Sequence, residues 1–198
     1  MYLSWSGVRL SQAGYVSNDP YEMEADHFAA GLLMPERLFK QIIKGRDPGL
    51  SVIENAGAQC KTSLTAAAIR YADLTEYAVA VIISTGQLID FCFMSDTMKS
   101  LPQLSWLKKG APVPRNTETA RFNADPSRIL IGDRATIEID VLDWLGGQRS
   151  AIVTEEVVGL GRYGKTLTVL SSAAIGREDE GEDDEDELID KWTPRFHR

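Results

Sequence analysis

Histidine is almost missing from this chain. Its 198 residues contain two, His27 and His197, one near each end. No helix can therefore present an imidazole pair one turn apart, the usual way a single helix supplies two nitrogens to zinc. Cysteine is equally scarce. Cys60 and Cys92 lie in apolar or helical contexts without a partner at ligand spacing, so reduced core thiols are expected, not a disulfide or a metal pair. No apolar run approaches the ~20 residues needed to cross a bilayer. The opening "MYLSWSGVRLSQ" has no basic start followed by an apolar stretch, so it does not read as a signal peptide. A cytoplasmic protein with no membrane association is the expectation.

A diffuse basic surface is also lacking. The net charge is −8, but Glu178–Arg198 alone holds ten acids against Lys191, Arg195 and Arg198, leaving the other 177 residues near −1. The acidity belongs to a tail, and no direct contact with nucleic acid is expected. What is present is ordinary for a soluble globular chain: 43% hydrophobic and 25% charged residues, enough for one substantial domain or two small ones.

Periodicity divides the chain. Residues 1–18 are weakly periodic. Asp19 can cap a helix, Pro20 suits its first position and Glu22 falls three residues after the cap. That helix should run to Met34, where Pro35 breaks it, with Ala29, Ala30 and Leu33 on its buried face. A second helix, "PERLFKQIIKG", is predicted to bury Leu38, Ile42 and Ile43 and to stop at Gly45. "PGLSVIENAGAQ" and "SLTAAAIRYADL", the latter capped by Ser63, complete a helical first third. The period then shortens to that of strands. "YAVAVIIST" (77–85) and "LIDFCFM" (88–94) read as a hairpin turning at Gly86-Gln87, and 95–128 as mostly loop with short elements. Further strands are expected at 135–145, 150–160 and 165–172. The predicted fold class is α+β, in three parts: a helical portion (1–75), a β-rich, mostly antiparallel portion (76–176) and an acidic low-complexity tail (177–198) expected to be disordered.

Glu22 and Asp26 stand one turn apart on the first helix. A capping glutamate accounts for Glu22. By Asp26 the capping benefit has faded, and two acids at i, i+4 repel unless a cation or a ring nitrogen lies between them. The string that contains them, Glu22, Ala25, Asp26, Phe28, Ala29, Leu32, Leu33, Met34 and Pro35, resembles the E-x-x-A-[DN]-x-F-A-x-x-L-L-M-P pattern of the ImmA/IrrE-like zinc metallopeptidases. "SLTAAAIRYADLTEYAVAVIIST" and the strand-rich region also look like longer bacterial members. The resemblance implies a helical zincin-like remnant in the first third of the chain. It also implies Glu22 as third zinc ligand and Asp26 as the acid that orients a ligand histidine. By the same resemblance the family cofactor is zinc, and the family role is endopeptidase cleavage of a partner helix-turn-helix repressor in bacteria or phage.

The chain departs from that pattern where catalysis needs it most. The His-Glu-x-x-His helix that should precede Glu22 is not in the sequence. His27, five residues after Glu22, projects from another side of the same helix, and His197 is next to the last residue. An incomplete, inactive member is therefore expected, with no tight zinc binding by this chain. The alternative is a non-catalytic regulatory module that keeps the partner-recognition surface. Other motifs carry less. "GLGRYG" (159–164) lies between two strands and reads as a hairpin turn, not a phosphate loop. "SLTAAAIRYADL" offers only Arg70 to DNA. "KWTPRFHR" mixes aromatics with cations, but ten acids directly upstream would repel phosphate.

Overall fold

The computed structural model describes residues 32–175. Within them, three helices lead into a five-stranded antiparallel sheet, and short helices cross the sheet's other face. The helices are α1 (Glu36–Ile43), α2 (Leu50–Cys60) and α3 (Leu64–Leu74). They are followed by β1 (Ala78–Thr85), β2 (Leu88–Met94), α4 (Asp96–Lys99), α5 (Glu118–Asn123) and α6 (Pro126–Leu130). The chain closes with β3 (Arg134–Asp140), α7 (Val141–Leu145), β4 (Ile152–Gly159), a 3-10 turn at Gly161–Tyr163 and β5 (Thr166–Ser172). The strand order is β2-β1-β5-β4-β3. The α+β class and the predominantly antiparallel sheet are as expected from the sequence.

The local signals act where the sequence puts them. Pro35 separates Met34 from α1, and Gly45 follows that helix at φ +69, a left-handed conformation that glycine adopts without strain. The Ser63 hydroxyl accepts the Ala66 amide at 3.2 Å and starts α3. β1 and β2 pair across the Gly86-Gln87 turn with one irregularity between Ile83 and Ser84.

Three expectations fail. The buried stripe of α1 is Phe39 and Ile43, while Leu38 is 55% exposed; the phenylalanine ring, the largest apolar side chain of the helix, takes the core, and Ile43 lies one turn below it. Leu33 is also exposed, at 57%. The predicted strand over 135–145 ends at Asp140, whose carboxylate accepts the Leu142 amide at 2.9 Å and turns the chain into α7. Trp144 and Leu145 thus reach the core from a helix.

The sheet has a dry face and a mixed face. On the first, Val79, Val81, Ile83, Leu167, Val169 and Val158 pack against α1–α3 through Phe39, Ile53, Ala56, Ala67, Ala68 and Tyr71. Fully burying each such aliphatic side chain contributes roughly 1.5–3 kcal/mol. On the opposite face the alternate residues begin apolar, with Ala78, Ala80, Ile82 and Leu170 against Met98, Trp144 and Leu145. They become polar toward the other end: Ser84, Thr166, Thr168 and Glu155 are all fully buried.

Helix α5 satisfies that polar end. Glu155 accepts the backbone amides of Glu118 (3.0 Å) and Thr119 (2.8 Å) and the Thr119 hydroxyl (2.7 Å). Because Thr119 spends its proton on Glu155, its contact with Thr168 at 2.7 Å makes Thr168 the donor. One helical turn on, Asn123 donates to the Ser84 hydroxyl (2.9 Å) and the Gly86 carbonyl (2.7 Å), and accepts from the Thr166 hydroxyl (2.6 Å). α6 then comes so close to β4 that a Cβ on Gly159 would sit 2.6 Å from the Ile129 carbonyl oxygen. Only glycine fits there.

Replacing Glu155 with glutamine would turn an NH2 group against the amides of α5 and leave buried donors without acceptors. A loss of about 1–3 kcal/mol is expected, read as a lower urea midpoint, with Asn123→Ala acting in the same direction.

Candidate functional site

Glu22, Asp26 and His27 lie outside the described residues, so the motif is seen only through its carboxyl end. There Leu32 and Leu33 are exposed, and Met34 is 3% exposed, packed into the core that α1–α3 share with the sheet. Two side chains hold Met34. The Arg70 Nε donates to its carbonyl at 3.3 Å, and the Thr62 hydroxyl contacts its sulfur at 3.6 Å. Pro35 lacks the amide that would continue a helix, and the Arg70 guanidinium on a neighbouring helix supplies a donor to the Met34 carbonyl just before the break.

Arg70 is therefore an anchor of the motif. Its side chain is only 14% exposed and also pairs with Asp73 at 2.7 Å. Along α3, Asp73 is the only exposed position. This helix faces inward, and its arginine is engaged by its own chain. An arginine in the middle of an alanine-rich stretch, three residues before an acid, is the signal that could have placed it.

A second polar junction ties the helical layer to the sheet. α2 opens at Gly49–Leu50, and the Leu50 amide donates to Glu156 on β4 at 2.6 Å. Gly49 has φ +145, and a Cβ there would meet the Glu156 carboxylate at 2.5 Å. Conformation requires glycine here, and a side chain would push the Glu156 carboxylate away from the Leu50 amide. Beside it, Arg134 of β3 holds Glu54 of α2 through both carboxylate oxygens, at 2.5 and 3.1 Å. Burial pushes the Glu156 carboxyl above its ordinary range, opposed by the Leu50 amide and by Arg134, with Glu54 adding to the rise.

The remaining constellations read as scaffold. The Thr85 hydroxyl and the Lys165 ammonium both donate to Asp90, at 2.7 and 2.8 Å. Such a trio could suggest hydroxyl chemistry, but Asp90 is the extra residue of the β1–β2 irregularity, and the three groups lace the ends of β1, β2 and β5 together. Both cysteines are free, and burial pushes the Cys92 thiol up to about 12, leaving it neutral and unreactive at neutral pH. Among the described residues, no three His, Cys, Asp or Glu side chains are grouped so as to hold a metal ion. Among them, too, no helix is long and apolar enough to cross a membrane.

Compared with models of known protein families and with curated proteins, the chain matches none.

The raised Glu156 carboxyl fixes a pH dependence. Its contribution to stability is present in full below the ordinary value of 4.5 and is lost as pH rises through the higher value it has in the folded state. Glutamine keeps an oxygen for the Leu50 amide but does not ionise. Glu156→Gln should therefore gain stability relative to the parent as pH rises from 4.5 toward neutrality. Urea unfolding at a series of pH values measures this, and a constant difference between the two proteins would contradict it.

Proposed function

We propose that the chain is a member of the ImmA/IrrE-like zinc metallopeptidases in which the two-histidine helix does not fall within these residues. One observation carries the reading: the string from Glu22 to Pro35, with its acid pair one turn apart and its Leu-Leu-Met-Pro ending. The anchoring of Met34 by Arg70 and Thr62 supports it, because a ligand helix needs a fixed carboxyl end if its carboxylate is to meet imidazoles from elsewhere.

In this reading Glu22 is the third protein ligand of a zinc ion and Asp26 orients a ligand histidine. Zinc, once held by two imidazoles and this carboxylate, supplies an activated water for attack on a peptide carbonyl. The substrate class is a partner repressor of the helix-turn-helix type. One carboxylate does not hold catalytic zinc, so this chain alone is inactive.

A second reading is favoured by the histidine count itself. With no imidazole pair anywhere in the sequence, the protein serves as a cytoplasmic regulatory module that recognises the same repressor without cutting it. Partner binding by the isolated chain, without cleavage, fits it.

The purified chain is expected to take up no stoichiometric zinc in equilibrium dialysis. Fusing a His-Glu-x-x-His helix ahead of Met1 should restore one zinc per chain, and Glu22→Ala in that fusion should abolish it. Uptake that survives Glu22→Ala, or tight uptake by the unextended chain, overturns the ligand assignment.

A further inference from the structure

Apart from the two ends, the chain's charges nearly balance: residues 32–175 carry sixteen Lys or Arg against fifteen Asp or Glu. Four of those cations fall within ten residues. The stretch from Arg37 to Arg46, "RLFKQIIKGR", holds Arg37, Lys40, Lys44 and Arg46 and no acid. On α1 and its last turn, positions 37, 40 and 44 follow the i, i+3, i+7 spacing of one helix face, and all four side chains are exposed. Lys40 pairs with Glu36 at 2.9 Å, and the Arg46 Nε donates to the Ile42 carbonyl. Arg37 and Lys44 have no acidic partner among the described residues. Leu38, 55% exposed, lies on the other flank of the core stripe from Lys40.

The opposite pattern follows β5. From Glu178 to Asp190 the sequence holds ten acids and no base. The end of β5 lies beside the loop that follows α1, although Ile175 itself is on the sheet face opposite α1, so the run must pass the end of the sheet to reach it. Near the end of β5 the Ser171 hydroxyl donates to the Pro48 carbonyl at 3.4 Å, and Pro48 is two residues from Arg46 and four from Lys44. Ile175 still packs against the core of the sheet's mixed face. Three further residues reach Glu178, at most about 10 Å away, and the acidic run could extend about 40 Å beyond that. The eight residues of α1 span about 12 Å. Length is no obstacle.

From this we infer that the basic face of α1 is a docking surface, and that its occupant is the chain's own acidic run, Glu178–Asp190. A single exposed ion pair contributes little, roughly 0–1 kcal/mol. Four cations facing a tethered polyanion are different, because the tether sets a local concentration on the order of millimolar and each contact adds to the last. The contact is electrostatic and must weaken as salt shortens the screening length from about 10 Å at 0.1 M to about 3 Å at 1 M. An acidic partner that engaged this face would have to displace the run first. The inference stands apart from the peptidase reading, since it uses no residue of the Glu22 motif.

Zero-length carbodiimide cross-linking of the full chain, read by peptide mass spectrometry, tests it. Lys40 and Lys44 should join to carboxylates of residues 178–190 in preference to Lys61, Lys99 and Lys108. Mixing isotope-labelled and unlabelled chains should show the links forming within one chain. The yield should fall several-fold at about 1 M salt and in the Arg37→Glu, Arg46→Glu double variant, which retains Lys40 as reporter. Links spread evenly over the lysines, links mainly between chains, no links from this run, or a yield indifferent to salt each overturn the proposal. The salt series on the unaltered protein decides the matter should the variant fold poorly.

Discussion

Two neighbouring glutamates on β4 tie the start of a helix to each face of the sheet. Successive side chains of a strand point to opposite faces, so Glu155 and Glu156 leave the sheet on opposite sides. Each meets the amino end of a helix. Glu155 takes the first amides of α5, and Glu156 takes the first amide of α2. The amino end of a helix carries unpaired donors, so a glutamate oxygen is a fitting acceptor there, although at Glu156 burial outweighs this match and raises the carboxyl's pKa. The pair therefore works as a double staple, with one strand fixing the start of a helix above the sheet and of another below it.

The two sides differ in consequence. On the α2 side the staple supplements a dry core, and Glu156 is only partly withdrawn from water. Apolar packing carries that layer, with Gly49 providing the room for the carboxylate to approach. On the α5 side the carboxylate is fully buried, and the seam through Thr119, Thr168, Asn123, Ser84 and Thr166 leaves α5 one position in which every polar group is answered. A slide by one residue would strand several of these groups, which costs more than an equal slide over an apolar surface. A short helix of six residues, too brief to be stable alone, is thereby given a unique site.

Much of this was legible in the sequence. The β1–β2 hairpin, the Ser63 cap, the break at Pro35 and the strands at 152–159 and 166–172 follow from turn residues and period-two alternation, which act locally. The misread parts are those where distant residues decide. Nothing within α1 says that Phe39 rather than Leu38 faces the core, because that phase is set by contact with α2 and α3. The strand through 141–145 was interrupted by Asp140, an acid able to cap as readily as to pair. Glu155 could have been noticed, since an acid between Val153 and Val157 on an inward-facing register demands partners. Its partners, thirty-six and thirty-seven residues away, could not have been named. Of the candidate site, the string from Glu22 to Pro35 was legible, but the arginine that holds its end belongs to a different helix.

That arginine bears on how the motif can work. A metal-binding helix must resist two forces: repulsion between its own acids before the ion arrives, and the pull of ligands on other elements afterward. Met34 is fixed by burial, by the Thr62 hydroxyl and by Arg70, and Arg70 is itself set by Asp73 on the layer that Glu156 staples to the sheet. The route from β4 through α2 and α3 to Met34 is continuous packed structure. The sheet need contribute no ligand in order to matter to such a site. Its part is to give the motif's carboxyl end a rigid foundation, and it would do so equally for a helix that binds zinc and for one that only presents a surface to a partner.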